Sequence, residues 1–180
     1  MNGSSASVFA DPRPWPRRAA IVSVNWIGDT LMSAPAVAAW RRLHPEARLI
    51  ILARPGPAAV WRLLGLADEV WNMAAGTRGA WRAARALRAW RPDWVAVCPH
   101  SVRASWLAAL SGAAEVVGLP GFARRWFGIR VVRPLVRADR RHQRFEYADL
   151  LLGPGADLPA ERLHLRVLPD LEQEEESRLT

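Results

Sequence analysis

Three stretches of this 180-residue chain place polar, reactive side chains in the same local setting, just after a short apolar run and just before a helical pattern. Asp29 follows the run at 19–24 across Asn25, Trp26, Ile27 and Gly28. Arg54 follows the run at 48–53, and His100, Ser101 and Arg103 follow the one at 94–98. A carboxylate there could take the proton from a hydroxyl held within ~3 Å, which is general-base chemistry. It could equally serve as the N-cap of the helix behind it, or do both. Arg54 and Arg103 could grip carboxylates or phosphates, because a guanidinium fork matches either anion. The plain alternative is solvent-facing arginine in an arginine-rich chain. His142, at the start of a later helical pattern, could touch a ligand or simply cap. Asn25, Trp26, Gly28, Thr30 and Ser101 complete the candidate binding set, with turn chemistry as the competing explanation for the small polar residues among them.

The elements that must position these residues follow from apolar periodicity. Strands are expected at 19–25, 48–53, 69–73, 94–98, 115–117 and 129–132, each a short apolar run bounded by Gly, Pro, Asn or Asp. Helices are expected at 30–43, 58–64, 80–91, 102–111 and 142–152. Pro35 either kinks the first helix or marks its true first turn. Residues 76–79 read as a turn, as do 118–121. The helix at 80–91 puts arginines on one face and Trp81, Ala84, Leu87, Ala89 and Trp90 inward. Arg124, Arg125, Trp126 and Phe127 form a basic aromatic stretch that could rest on an anionic membrane or fill core. Residues 134–141 read as a basic loop, 164–168 as strand-like, and the segment from Asp170 as an acidic helix. Strands alternating with helices mean βαβ units: an α/β fold with a parallel, Rossmann-like sheet covered by helices on both faces. Ligands of such sheets bind at the carboxyl ends of the strands, where Asn25 to Asp29, Arg54, Asn72, His100 to Arg103 and Gly118 to Gly121 collect.

The totals narrow the class. Hydrophobic residues make up 51% and charged residues 23%, a globular composition. No apolar run approaches the ~18 residues that span a bilayer. The N-terminal stretch lacks a basic start followed by an apolar core, so it does not read as a secretory signal. Cys98 is the single cysteine, which excludes an intrachain disulfide framework and argues against structural zinc; it reads as a buried, inert thiol. These features suit a reducing cytoplasm. The net charge is +8, and all 25 basic residues are arginine. Such a balance suggests an anionic partner: nucleic acid, a phosphorylated sugar or an anionic membrane face. The complete lack of lysine points to a coding bias, so part of this charge is ordinary surface. The arginines are spread along the chain with no known basic motif, and no nucleic-acid partner is expected.

Neither Gly-x-Gly-x-x-Gly nor a Walker loop occurs, which disfavours a dinucleotide or P-loop site. The first loop carries a different signature. Asn25-Trp26-Ile27-Gly28-Asp29-Thr30-Leu31-Met32-Ser33-Ala34-Pro35-Ala36 resembles the N-terminal motif of the ADP-heptose:lipopolysaccharide heptosyltransferases, glycosyltransferase family 9, and in particular the heptosyltransferase II branch. The likeness continues in order through Leu52-Ala53-Arg54-Pro55, Asp68-Glu69-Val70, Pro99-His100-Ser101-Val102-Arg103-Ala104-Ser105, Val117-Gly118 and His142-Gln143-Arg144-Phe145-Glu146-Tyr147. His100 stands where the family usually has Asn. The first motif is fairly specific; the others persuade by their sequence.

The resemblance implies a GT-B architecture, two Rossmann-like domains facing each other across a cleft. It implies that residues 19–168 form the domain that binds the lipopolysaccharide inner-core acceptor, with 1–18 a flexible leader and 169–180 a linker helix cut short. The other domain, absent from these 180 residues, would hold the donor substrate ADP-heptose. The reaction would invert the anomeric centre with Asp29 as general base, and would need neither metal nor separate cofactor. The acceptor, being lipid-linked, would bring the protein into peripheral contact with the cytoplasmic face of the inner membrane. Without a donor held opposite it, the base would have little to act on. The competing expectation is a non-catalytic domain that binds carbohydrate or other anions.

Overall fold

A computed structural model of the protein describes residues 16–135 and 142–158. Its strands are β1 (Arg18–Val22), β2 (Arg48–Ala53), β3 (Glu69–Asn72), β4 (Trp94–Val97), β5 (Glu115–Gly118) and β6 (Arg130–Val131). All pair in parallel, in the order β3-β2-β1-β4-β5-β6. The chain therefore winds outward from β1 in one direction, then returns to lay β4 on the other side. That reversal creates a crevice at the carboxyl ends of β1 and β4.

The helices are α1 (Ile27–Leu43), α2 (Pro55–Leu64), α3 (Gly76–Trp90), α4 (Val102–Ala109) and α5 (Arg144–Leu152). Helices α1, α2 and α5 cover one face of the sheet, meeting Ala19, Ile21, Leu49, Ile51 and Ala53. Helices α3 and α4 cover the other, meeting Ala20, Val22, Ile50, Leu52, Val95 and Val97. Successive strand residues alternate between the two cores, so both faces of β1 and β2 are buried and both strands must read as continuous apolar runs. Alanines at 34, 36, 38 and 39 bring α1 close to the sheet, and Trp40 fills the remaining volume by stacking on Trp94 at 5.5 Å.

Several boundaries differ from the sequence reading for identifiable reasons. Helix α1 starts at Ile27 rather than 30, because Gly28 and Asp29 take helical positions instead of turn positions. Trp26 occupies the N-cap in extended conformation with no side-chain cap, and the Thr30 amide donates to its carbonyl at 3.0 Å. Asp29 is thus not the cap; it lies in the first turn. Pro35 sits inside the helix, which runs on through it, so it does not mark the first turn. Helix α2 starts three residues early on Pro55, whose missing N–H costs nothing at an orphan position. Trp81 and Ala89 were expected inward and are exposed; Trp81 instead stacks on Trp106 at 5.7 Å.

Residues 76–79 are the first turn of α3 and not a free turn. Gly79 is required there by close approach. A Cβ at this position would lie 2.1 Å from the Ala74 carbonyl oxygen. Gly79→Ala is therefore expected to cost about 1–3 kcal/mol despite alanine's better helix propensity, since backbone has to move. A chemical-denaturation curve with no loss of stability would contradict this packing.

Helix α5 begins at Arg144, two residues later than expected. The buried Asp149 fixes its far end. One oxygen accepts from the Leu135 amide at 2.7 Å and the other from the Gly155 amide at 2.8 Å. The stretches at 1–15, 136–141 and 159–180, including the strand-like 164–168 and the acidic 169–180, lie outside the described residues. Among the described residues, no helix is long and apolar enough to cross a membrane.

Candidate functional site at the carboxyl edge of the sheet

Helices α1 to α4 each follow a parallel strand, so their N-termini gather at one edge of the sheet. That edge presents unpaired backbone N–H groups and the positive ends of helix dipoles, a setting that favours anionic ligands. Within it, Asn25, Arg54, Ser101 and Arg103 line one small cleft of about 40 Å³. Val22 also lines it, as do Met73 and Gly76, which sequence reasoning did not single out. Arg54 is the extended N-cap residue of α2 and is partly buried, while Arg103 is exposed. Ser101 caps α4, its hydroxyl accepting from the Ala104 amide at 3.3 Å. His100 Nδ1 lies 2.6 Å from the Pro120 carbonyl oxygen, tying the loop after β4 to the loop after β5.

The first turn of α1 adjoins this cleft through Asn25. Asp29 is partly exposed there. Gly28 is exposed, and a Cβ on it would meet nothing within 4 Å, so the backbone beside Asp29 is open to approach. Trp26 is exposed. Thr30 is fully buried, and its hydroxyl donates to the Trp26 carbonyl at 2.9 Å. His142 stands outside the cleft, exposed, its Nδ1 accepting from the Arg144 amide at 3.3 Å.

Near Asp29, the side chain of Tyr147 is buried. The Tyr147 hydroxyl accepts from Gln143 Nε2 at 3.0 Å. Burial pushes its phenol well above the usual range, and the nearby Cys98, Asp29 and Glu146 add to that rise. Burial likewise pushes the Cys98 thiol up to about 12, against the pull of the Arg124 cation. The thiol is therefore inert, as its apolar run suggested.

Arg124 is the residue whose placement the sequence concealed. It opens a 3-10 turn, Arg124–Phe127, and its side chain is 1% exposed. Nε donates to the Leu119 carbonyl at 3.1 Å and Nη2 donates to the Pro99 carbonyl. Nη1 has no partner. Burial lowers the guanidinium from its ordinary value. Gly118 and Gly121 make the room: a Cβ on either would come within 3.0 Å of the guanidinium. Two glycines and an arginine in Gly118-Leu119-Pro120-Gly121-Phe122-Ala123-Arg124 were the available signal. The loops after β4 and β5 are therefore held by one buried cation as well as by His100.

This fold is shared with solved structures of heptosyltransferases and of a family 9 glycosyl transferase. The structure of E. coli ADP-heptose lps heptosyltransferase II superposes with a TM-score of 0.72 at 16% identity, over 91% of this chain and 50% of that one. A family 9 glycosyl transferase from Veillonella parvula gives 0.75 at 19% identity, over 89% and 48%. E. coli heptosyltransferase WaaC with ADP gives 0.60 at 20% identity, over 81% and 49%. The chain thus spans about half the length of each of these proteins. No protein-family model matches the chain, and no curated protein matches its sequence.

Proposed function

We propose that this chain is the acceptor-binding half of an inverting glycosyltransferase, one that moves heptose from ADP-heptose to the inner core of lipopolysaccharide with Asp29 as general base. The observation that carries this reading is the position of Asp29. It stands in the first turn of α1 at the carboxyl edge, beside the open backbone of Gly28 and next to a cleft with two arginines. An acceptor whose phosphates or carboxylates sit between Arg54 and Arg103 would bring a sugar hydroxyl towards that carboxylate. Deprotonation then sharpens the hydroxyl for attack on the anomeric carbon. The fold likeness supports the reading.

Binding can be tested on this chain alone. Deep-rough lipopolysaccharide saccharide is expected to bind, and Arg54→Gln with Arg103→Gln to weaken it at least ~10-fold, since each charge-assisted hydrogen bond contributes about 1.5–3 kcal/mol. Titration calorimetry reads this directly. Unchanged affinity in the double variant would remove the cleft from the account.

A further inference from the structure

A hollow of about 730 Å³ lies around the 3-10 turn and β6 and shares no lining residue with the candidate cleft. Its rim has an unusual make-up. Phe122 is 74% exposed and Trp126 86% exposed, and the two rings meet edge to face at 6.4 Å. Residues 116–135 contain four arginines and no acidic residue. Of these, Arg124 is buried and Arg130 pairs with Glu115 at 2.6 Å, which leaves Arg125 and Arg133 exposed beside the rings.

The backbone beneath the rings sets their placement. Ala123 adopts φ +60, a left-handed conformation that a non-glycine residue enters only under constraint. The constraint is Arg124, whose guanidinium is anchored to the Leu119 and Pro99 carbonyls. With Arg124 pointing in, its neighbours Phe122, Arg125 and Trp126 must point out. The basic aromatic stretch read from the sequence thus splits. Arg124 is an internal anchor and Phe127 is partly buried, while Phe122, which lay outside that stretch, joins the exposed tip.

We infer that this tip docks the protein on an anionic lipid bilayer, the two rings entering the headgroup boundary and Arg125 and Arg133 resting on lipid phosphates. Aromatic rings of this kind favour the interfacial zone, and exposed arginines beside them are attracted to anionic headgroups. A nucleic acid fits less well. It needs a positively charged groove that tracks several successive phosphates, whereas this rim offers two exposed arginines, Arg125 and Arg133, beside two exposed rings. The inference is independent of sugar transfer, since the bilayer would be bound with neither donor nor acceptor present.

Flotation of the 180-residue chain with vesicles tests it. Vesicles of phosphatidylglycerol mixed into phosphatidylcholine are expected to carry the protein up, and phosphatidylcholine alone to do so far less. Phe122→Ser with Trp126→Ser should reduce the partition ~10-fold or more. Arg82→Gln with Arg85→Gln, on the exposed face of α3, should leave it within ~3-fold. All four side chains are exposed, and an unchanged far-ultraviolet spectrum and melting temperature will show that the variants fold. Equal partition of the aromatic variant and the parent would overturn the inference. So would a larger loss from the α3 pair, or stronger binding to a double-stranded oligonucleotide than to the anionic vesicles.

Discussion

Asp29→Asn is expected to keep the fold and lose transfer. The substitution preserves shape and leaves the Trp26 to Thr30 hydrogen bonds of the first turn untouched. What it removes from stability is the favourable meeting of a carboxylate with the positive end of α1, about 0.3–1 kcal/mol. What it removes from catalysis is the only proton acceptor the account provides for the attacking hydroxyl. General bases contribute about 10²–10⁴-fold in rate, so transfer by the completed enzyme should fall by that factor. The contrast between the two readouts is what separates base from structural residue. Because Asp29 is not the helix cap, a large loss of stability is not expected, and one would show that its role is mainly architectural.

The second large effect is expected at Arg124, and it is one of stability. Arg124→Leu leaves the Leu119 and Pro99 carbonyls without their donors and opens space that Gly118 and Gly121 had cleared for a guanidinium. Each buried group left unsatisfied costs about 1–3 kcal/mol, and the void adds to that. Relief from burying a cation acts in the opposite direction, so the net loss should be about 2–4 kcal/mol. For a chain of this size that is a fall in melting temperature of roughly 5–15 °C. Arg124→Lys should lose nearly as much, because an ammonium cannot span both carbonyls with the planar fork. A melting temperature equal to that of the parent would show that the loops after β4 and β5 are held by other contacts.

The architecture could be read from the sequence because this sheet is buried on both faces. Runs such as Leu49-Ile50-Ile51-Leu52 have few alternatives to a central parallel strand, and the helices between them set the winding. Boundaries failed where glycine carried two meanings. Gly28 and Gly79 read as turn residues, yet both sit in helical first turns, one leaving backbone open and the other admitting a close contact. The cleft was legible as a list of residues following strands. Which of them share a surface was not, since that depends on the order β3-β2-β1-β4, which brings the loops after β1, β2 and β4 together and leaves His142 outside. Arg124 was illegible for a different reason. Arginines are almost never buried without a carboxylate, so a guanidinium held only by backbone carbonyls contradicts the prior that places it on the surface.

The most direct test of the central claim is the mass of the acceptor. Deep-rough lipopolysaccharide is incubated with ADP-heptose, this chain and a separately expressed donor-binding half, and the saccharide is then examined by mass spectrometry. An acceptor heavier by one heptose is expected with the parent chain, and an unchanged acceptor with Asp29→Asn. An unchanged acceptor with the parent, both halves being folded and associated, would contradict the assignment of transfer; an equal yield from Asp29→Asn would contradict the assignment of the base.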